Sequence, residues 1–273
     1  MHGAANSGRG RDSIASPKAG LAFALTPQHE IYLNAGVGFH SNDVRGATIA
    51  IDPASGTAAD REPALAKGRG GEVGWRFQAD ENFTATVALW QLKLDSELVY
   101  VGDAGSTEPG RASSRRGIEA TMRWKLDRAW RVELDGAVSR ARFRGLAPEG
   151  QGNHVDNAVE RVFAAGLTYT DGPLTASLRL RYLGLRALDT TNSTRSRSAT
   201  LLNFGARYAV HKHLTLGLDV FNLAGKKGND IEYAYASCAA GDVVSGACNG
   251  GVNDRHVHPM EPCSARVSAR WTF

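Results

Sequence analysis

The 273-residue sequence has no run approaching the roughly 20 apolar residues that a membrane-spanning helix needs. Its first twenty residues, MHGAANSGRGRDSIASPKAG, have no apolar central segment of the kind a secretory leader carries. Lysine is scarce: only seven of the 32 basic residues are lysine, the formal charge is +4, and the arginines are scattered at alternating positions. A nucleic-acid binder clusters its basic residues on one loop or helix with aromatics between them, so no nucleic-acid partner is expected. There are three cysteines. Cys238 and Cys248 bracket CAAGDVVSGAC, which suits either a disulfide-closed loop or two free thiols, while Cys263 falls on the apolar side of the last strand. No GxSxG occurs, and no Ser, His and Asp stand at spacings that strand geometry would bring together, which argues against an enzyme. A large soluble core is short of material as well, because hydrophobic residues make up 42% against 31 glycines and mean hydropathy is −0.30.

What the sequence has in quantity is period-two alternation bounded by turn residues. GIEATMRWKL sets Ile118, Ala120, Met122, Trp124 and Leu126 against Glu119, Thr121, Arg123 and Lys125. GPLTASLRLRYLG and HLTLGLDVFNL repeat the pattern, and the chain ends on SARVSARWTF, which alternates the same way. About eleven such strands are expected, over residues 18–25, 30–40, 67–78, 83–101, 114–126, 129–144, 160–170, 173–187, 198–210, 213–224 and 262–273. Their connections alternate between tight turns and long, polar, glycine-rich loops at 41–66, 102–113, 145–159, 188–197 and 225–261.

A β-sandwich also alternates, but its strands run about five to six residues and its turns show no length asymmetry between the two ends. Most strands here are ten or more residues, enough to cross a bilayer at a tilt, and every short turn falls on one side. Phe83, Trp124, Trp130, Trp271 and Phe273 sit near the short-turn ends, where an interfacial girdle belongs. The pattern predicts an all-β, antiparallel transmembrane barrel with lipid on the apolar face and a wet lumen on the other. A wet lumen also explains alternating arginines, each of which would need a partner in a soluble core.

In order and spacing, IYLNAGVGFHSNDVRG (31–46), LWQLKLDSELVYVGDAGSTEPGRASSRRGIE (89–119), SRARFRG (139–145), LRLRYLGLRAL (178–188), LDVFNLAGKK (218–227) and HVHPMEPCSARVSARWTF (256–273) resemble the C-terminal half of a TonB-dependent outer-membrane receptor. The resemblance implies eleven strands of a 22-stranded barrel in the outer membrane of a Gram-negative cell, with residues 1–14 a disordered or truncated start and 15–273 the barrel part. It implies TonB-energised uptake of a scarce ligand such as a ferric siderophore, with no enzyme activity and no cofactor. The plug, the TonB box that meets the TonB complex, the leader and the first barrel half have no counterpart among these residues. Two other readings stand beside it, a truncated gene fragment without activity and a passive outer-membrane diffusion channel. Asn222-Leu223-Ala224-Gly225 stands where the family commonly has Asn-Leu-Phe-Asp.

The expected lumen wall carries Arg123, Arg179, Arg181, Arg207, Arg266 and Arg270, with Glu119 and Asp219 among them. Ligand contacts are expected in the outer loops, at Asn42, Asp43, Arg45, Asp103, Asn192 and Asp230. His256 and His258 form His-x-His beside Asp254 and Glu261, a weak metal candidate set against a plain strand start. Trp271 and Phe273 correspond to the aromatic ending that outer-membrane barrels present to their assembly machinery, as the resemblance implies. Outer-membrane lipid is the remaining expected partner.

Overall fold

The computed structural model describes residues 5–42, 44–51, 56–96, 98–101, 106–238, 241, 243 and 251–273. Alternating sequence becomes strand throughout: β1 (Lys18–Ala24), β2 (His29–Ser41), β3 (Leu65–Gln78), β4 (Phe83–Leu94), β5 (Leu98–Val101), β6 (Ser106–Pro109), β7 (Ser113–Lys125), β8 (Trp130–Phe143), β9 (Arg161–Asp171), β10 (Leu174–Leu183), β11 (Ala199–His211), β12 (Leu214–Phe221), β13 (Asn229–Ser237), β14 (Val252–Pro259) and β15 (Ser264–Trp271). One sheet holds eleven antiparallel strands in the order β1-β2-β3-β4-β7-β8-β9-β10-β11-β12-β15. Its edge strands β1 and β15 each have a single partner among the described residues, so the barrel is not closed. The pairs β5-β6 and β13-β14 are separate hairpins.

The eleven expected strands are these eleven, with two ends corrected. The fourth stops at Leu94 rather than continuing to 101, because Asp95 and Ser96 turn the chain: Asp95 N donates to the Lys67 carbonyl at 2.9 Å and Ser96 Oγ to the Gly110 carbonyl at 3.1 Å. The next four residues pair within β5-β6 instead. The eighth stops at Leu183 rather than 187, because Arg186 N finds Ser196 Oγ at 3.1 Å inside its own loop. Two loops hold more order than turn chemistry suggested: β13-β14 fills the last long loop, and a short helix, α1 (Val44–Thr48), sits in the first.

Tight turns are built from side-chain caps. Asp80 Oδ1 accepts from the backbone N of Asn82 and Phe83 at 2.7 and 3.0 Å, and Asp127 Oδ1 does the same for Ala129 and Trp130 at 2.7 and 2.8 Å. Thr26 Oγ1 serves the β1-β2 turn in the same way. Gly172 takes φ 50°, as the first residue of a primed hairpin turn requires.

The two faces differ in chemistry. One ladder row reads Leu21, Leu33, Val73, Leu89, Ile118, Val138 across six strands. Another reads Val132, Leu167, Leu178, Phe204, Val220, Ala265. Most of these large side chains are exposed, whereas the buried hydrophobic residues are mostly alanines. The small buried cluster of Ala141, Phe143 and Val155 lies under the loop end, not inside the sheet. Contiguous exposed apolar surface on this scale marks contact with a partner or a membrane. At the short-turn end His29, Trp75, Phe77, Phe83 and Trp124 form a chain of ring contacts at 4.7 to 6.1 Å, continued by Trp130-Tyr169 at 4.8 Å and His211-Trp271 at 5.3 Å.

Candidate functional site

Opposite the apolar rows the sheet carries ion pairs. Arg179 Nη1 donates to Glu133 Oε2 at 2.6 Å, crossing over Gly166 of the strand between them. A Cβ at Gly166 would stand 2.8 Å from Arg179 Nη1, so the pair exists because that residue is glycine. Asp219 accepts from Arg207 Nη2 at 2.8 and 3.0 Å and from Arg266 Nη2 at 3.5 Å. Arg76 pairs with Glu30, and Asn34 Nδ2 donates to Glu72 at 2.9 Å. Of the arginines expected on the wall, Arg179, Arg207 and Arg266 thus hold carboxylate partners. Arg123, Arg181 and Arg270 lie on the same face and form no ion pair among the described residues. Pairing at half-exposed positions orders the side chains more than it stabilises the sheet.

The loop end is a second polar region. Asp189 accepts from Thr191 Oγ1, Ser193 N, Ser193 Oγ and Thr194 N at 2.5 to 3.0 Å. Burial alone would raise its pKa, but these donors outweigh it and hold the carboxyl well below the ordinary range. Glu232, 2% exposed, accepts from Arg197 N at 3.3 Å and from Asn229 Nδ2 at 3.2 Å, tying the β13-β14 hairpin to the β10-β11 loop. Between these two elements lies a polar cavity of about 460 Å³, lined by Asp189, Thr191, Ser193, Asn253, Asp254 and Arg255 among others.

The expected loop contacts that are described lie in three different loops. Asn42 is 9% exposed and spends its amide on the Pro63 carbonyl at 2.7 Å. Arg45 lies in α1, whereas Asn192 adopts φ 62° at the tip of the Asp189 turn. Asp230 accepts from His258 Nδ1 at 2.8 Å, a bond that, more than any other contact, holds its carboxyl below the ordinary range. Asp43 and Asp103 lie outside the described residues. His256 and His258 occupy the same face of β14 but are engaged separately, His256 stacking on Tyr235 with ring centroids 3.7 Å apart. Among the described residues, no three His, Cys, Asp or Glu side chains gather to hold a metal. Cys238 is disulfide-bonded and Cys263 is free; Cys248 lies outside the described residues. The Asp189 turn and Glu232 escaped the sequence reading. The run DTTNST (189–194) does carry the signal of the first, an acid followed by hydroxyls that cap their own backbone.

A two-faced sheet with tight capped turns at one end and ordered polar loops at the other has known counterparts. The family model for TonB dependent receptor-like β-barrels matches residues 2–223. The chain belongs to the TonB-dependent receptor β-barrel family. Solved structures extend the likeness to 94% of the chain. The ferric yersiniabactin uptake receptor FyuA from Yersinia pestis superposes with a TM-score of 0.70 at 16% identity, the chain covering 37% of that receptor. The ferric-catecholate import receptor Fiu from E. coli K12, in its closed form, gives 0.67 at 19% identity, with 94% of this chain and 34% of that one covered. The siderophore receptor PiuA from Acinetobacter baumannii gives 0.67 at 18%, with 93% and 35% covered. The chain therefore spans about a third of the length of these TonB-dependent receptors. At such identities the superpositions speak for the fold.

Proposed function

We propose that this chain supplies eleven strands of wall, and the loops above them, to an outer-membrane receptor that imports a scarce ligand with energy passed through TonB. The carrying observation is the division of one sheet into an apolar face bordered by an aromatic girdle and a polar face crossed by arginine–carboxylate pairs. Lipid satisfies the first face and a wet lumen the second. Arg123, Arg179, Arg181, Arg207, Arg266 and Arg270 then line the passage. The long loops form the rim that meets the ligand, with the cavity beside Asp189 and Arg255 as a contact site in addition to Asn42, Asp43, Arg45, Asp103, Asn192 and Asp230. A ferric siderophore or similar chelate is the favoured ligand class, because the FyuA, Fiu and PiuA structures are described as receptors of that kind. Contact with TonB would run through a plug and TonB box, and Trp271 and Phe273 would be read by the assembly machinery.

The test places the chain behind a secretory leader with an epitope in the β13-β14 hairpin. The expected result is antibody access on intact Gram-negative cells and release of the chain by detergent but not by carbonate. Recovery in the soluble fraction, or an epitope reached only after lysis, would overturn the proposal. Current through planar bilayers with no ligand bound would favour the passive channel instead.

A further inference from the structure

The polar cavity of about 460 Å³ is walled by loops that are fixed to one another. Thr190 accepts from the Gly152 N through Oγ1 at 3.1 Å and from the His154 N through its carbonyl at 3.0 Å, which joins the 145–159 loop to the 188–197 loop. A Cβ at Gly152 would collide with the Thr190 carbonyl, so that contact needs glycine. Glu232 holds the β13-β14 hairpin to the same loop, and Arg186 Nη2 donates to the Glu232 carbonyl at 3.3 Å. Walls ordered before a ligand arrives lower the cost of binding it. The volume lies at the small end of the roughly 300–1,000 Å³ range of small-molecule sites, so the cavity takes a compact group rather than a whole bulky chelate.

The two sides of the cavity differ in chemistry. Thr191 Oγ1 and Ser193 Oγ both give their protons to Asp189, so these hydroxyls meet the cavity as acceptors. Asp189 itself takes four donors, two on each oxygen, and has little capacity left for a ligand. On the hairpin side Ala234 directly opposes Arg255, and Ala236 opposes Asn253 on the same face, so small residues leave the space open beside a cation and an amide. The Arg255 guanidinium makes no hydrogen bond or ion pair among the described residues, and Asp254 instead accepts from the Arg255 backbone N at 2.6 Å. A guanidinium is a planar fork that matches a carboxylate. Neutral acceptors across from it match hydroxyl protons, whereas an ammonium group would need a carboxylate with open lone pairs, which Asp189 does not offer.

We infer that this cavity binds a polyhydroxylated carboxylate, its carboxyl group on Arg255 and its hydroxyls on Thr191 and Ser193, either as a free sugar acid or as an arm of a metal chelate. The inference deepens the receptor reading above and rests on it for the place of the cavity at the outer rim.

The test folds the whole 273-residue chain in nonionic detergent and titrates it by calorimetry with D-gluconate, D-glucose, hexanoate and L-glutamine. Gluconate is expected to bind at least about tenfold more tightly than glucose, which lacks the carboxylate, and than hexanoate, which lacks the hydroxyls. Arg255→Gln should remove the advantage of gluconate over glucose, and Arg255→Lys should keep part of it. Lys212→Gln, which removes one positive charge from a short turn at the other end of the sheet, should leave it intact. Ala234→Leu should weaken gluconate and glucose alike by filling the cavity. Gluconate should also slow amide exchange over 189–194 in the parent chain, a readout that needs no variant to fold. Iron(III)–gluconate bound at least about tenfold more tightly than free gluconate assigns the chelate as the source, and equal or weaker binding assigns the free sugar acid. Glucose, hexanoate or glutamine bound as tightly as gluconate, or an Arg255→Gln chain that keeps the preference, would overturn the inference. A chain that passes the antibody and carbonate tests but binds no gluconate would overturn it and leave the receptor reading standing. Gluconate bound by a chain that fails those tests would strike the receptor reading and not the cavity.

Discussion

Leu178 offers the sharpest test of which face meets lipid. It lies in the middle of its row, four residues from Leu174 at the short turn and four from Tyr182 toward the loops, and is 37% exposed. Leu178→Arg puts a charge near the bilayer midplane if this face is lipid-facing, at a cost of about 2–4 kcal/mol. On a water-facing surface the same change costs within about 0.5 kcal/mol. Ser177 is its neighbour on the opposite face, opposed by Thr168 and Gly205, so Ser177→Arg is the matched control and is expected to fall within about 1 kcal/mol of the parent. The assay is urea unfolding of the chain folded into phospholipid vesicles, followed by tryptophan fluorescence. A shift of 2–4 kcal/mol is about 30- to 1000-fold in the folded-to-unfolded ratio. Equal effects of the two arginines, or a silent Leu178→Arg with a damaging Ser177→Arg, would refute the assignment of faces.

Asn222 is 3% exposed, holds φ 47°, exchanges bonds with the Lys226 backbone at 2.9 Å, and donates to the Glu261 carbonyl at 2.9 Å. Asn222→Ala should cost about 2–4 kcal/mol, seen as early loss of protection at 222–226 in hydrogen exchange, with Asn222→Gly recovering only the backbone share. Asp189 has a depressed folded pKa, so its contribution is complete above the unfolded value of about 3.9 and is lost as pH falls through the lower folded value. Exchange in 189–194, corrected for intrinsic rates, should stay flat from pH 8 to about 5 and rise below about 4, and Asp189→Asn should abolish that dependence. Gly166→Val should push Arg179 off Glu133 while costing at most about 1 kcal/mol, because the pair is half exposed. A much larger loss would mean that the ladder, not the ion pair, needs the glycine.

The strands were legible because each is long enough for alternation to be counted and because a one-residue slip would exchange the faces completely. Trp124 beside Arg123, and Leu178 beside Arg179, leave one register open to each strand. Strand ends were less legible. Leu98–Val101 continues the alternation of β4 in sequence, yet the Asp95-Ser96 turn sends it into another pairing, and that turn rests on Lys67 and Gly110, which are remote in sequence. The loop sites were least legible for the same reason. Glu232 is recognisable only once Arg197 N and Asn229 are brought to it, and Asn42 looks like a surface contact until its amide reaches Pro63. Asn222 stood out in sequence as a departure at the residues that follow it. Its φ of 47°, with Gly225 at 59°, shows that the turn itself is kept by Asn222 and Gly225.

The distribution of charge separates the two faces more finely than hydrophobicity does. On the polar face some cations meet carboxylates across one or two strands, as Arg179 meets Glu133 and Arg207 and Arg266 meet Asp219, and there the side chains are ordered, whereas Arg123, Arg181 and Arg270 form no ion pair among the described residues. At the loop edge of the apolar face Arg69 faces Lys93 and Arg116 faces Arg140, and Asp95 is shared between Arg69 and Arg144. The corresponding positions beside the loop ends of β10, β11 and β15 are neutral, at Gly184, Thr200 and Cys263, so the facing cations are a feature of the neighbouring strands β3, β4, β7 and β8.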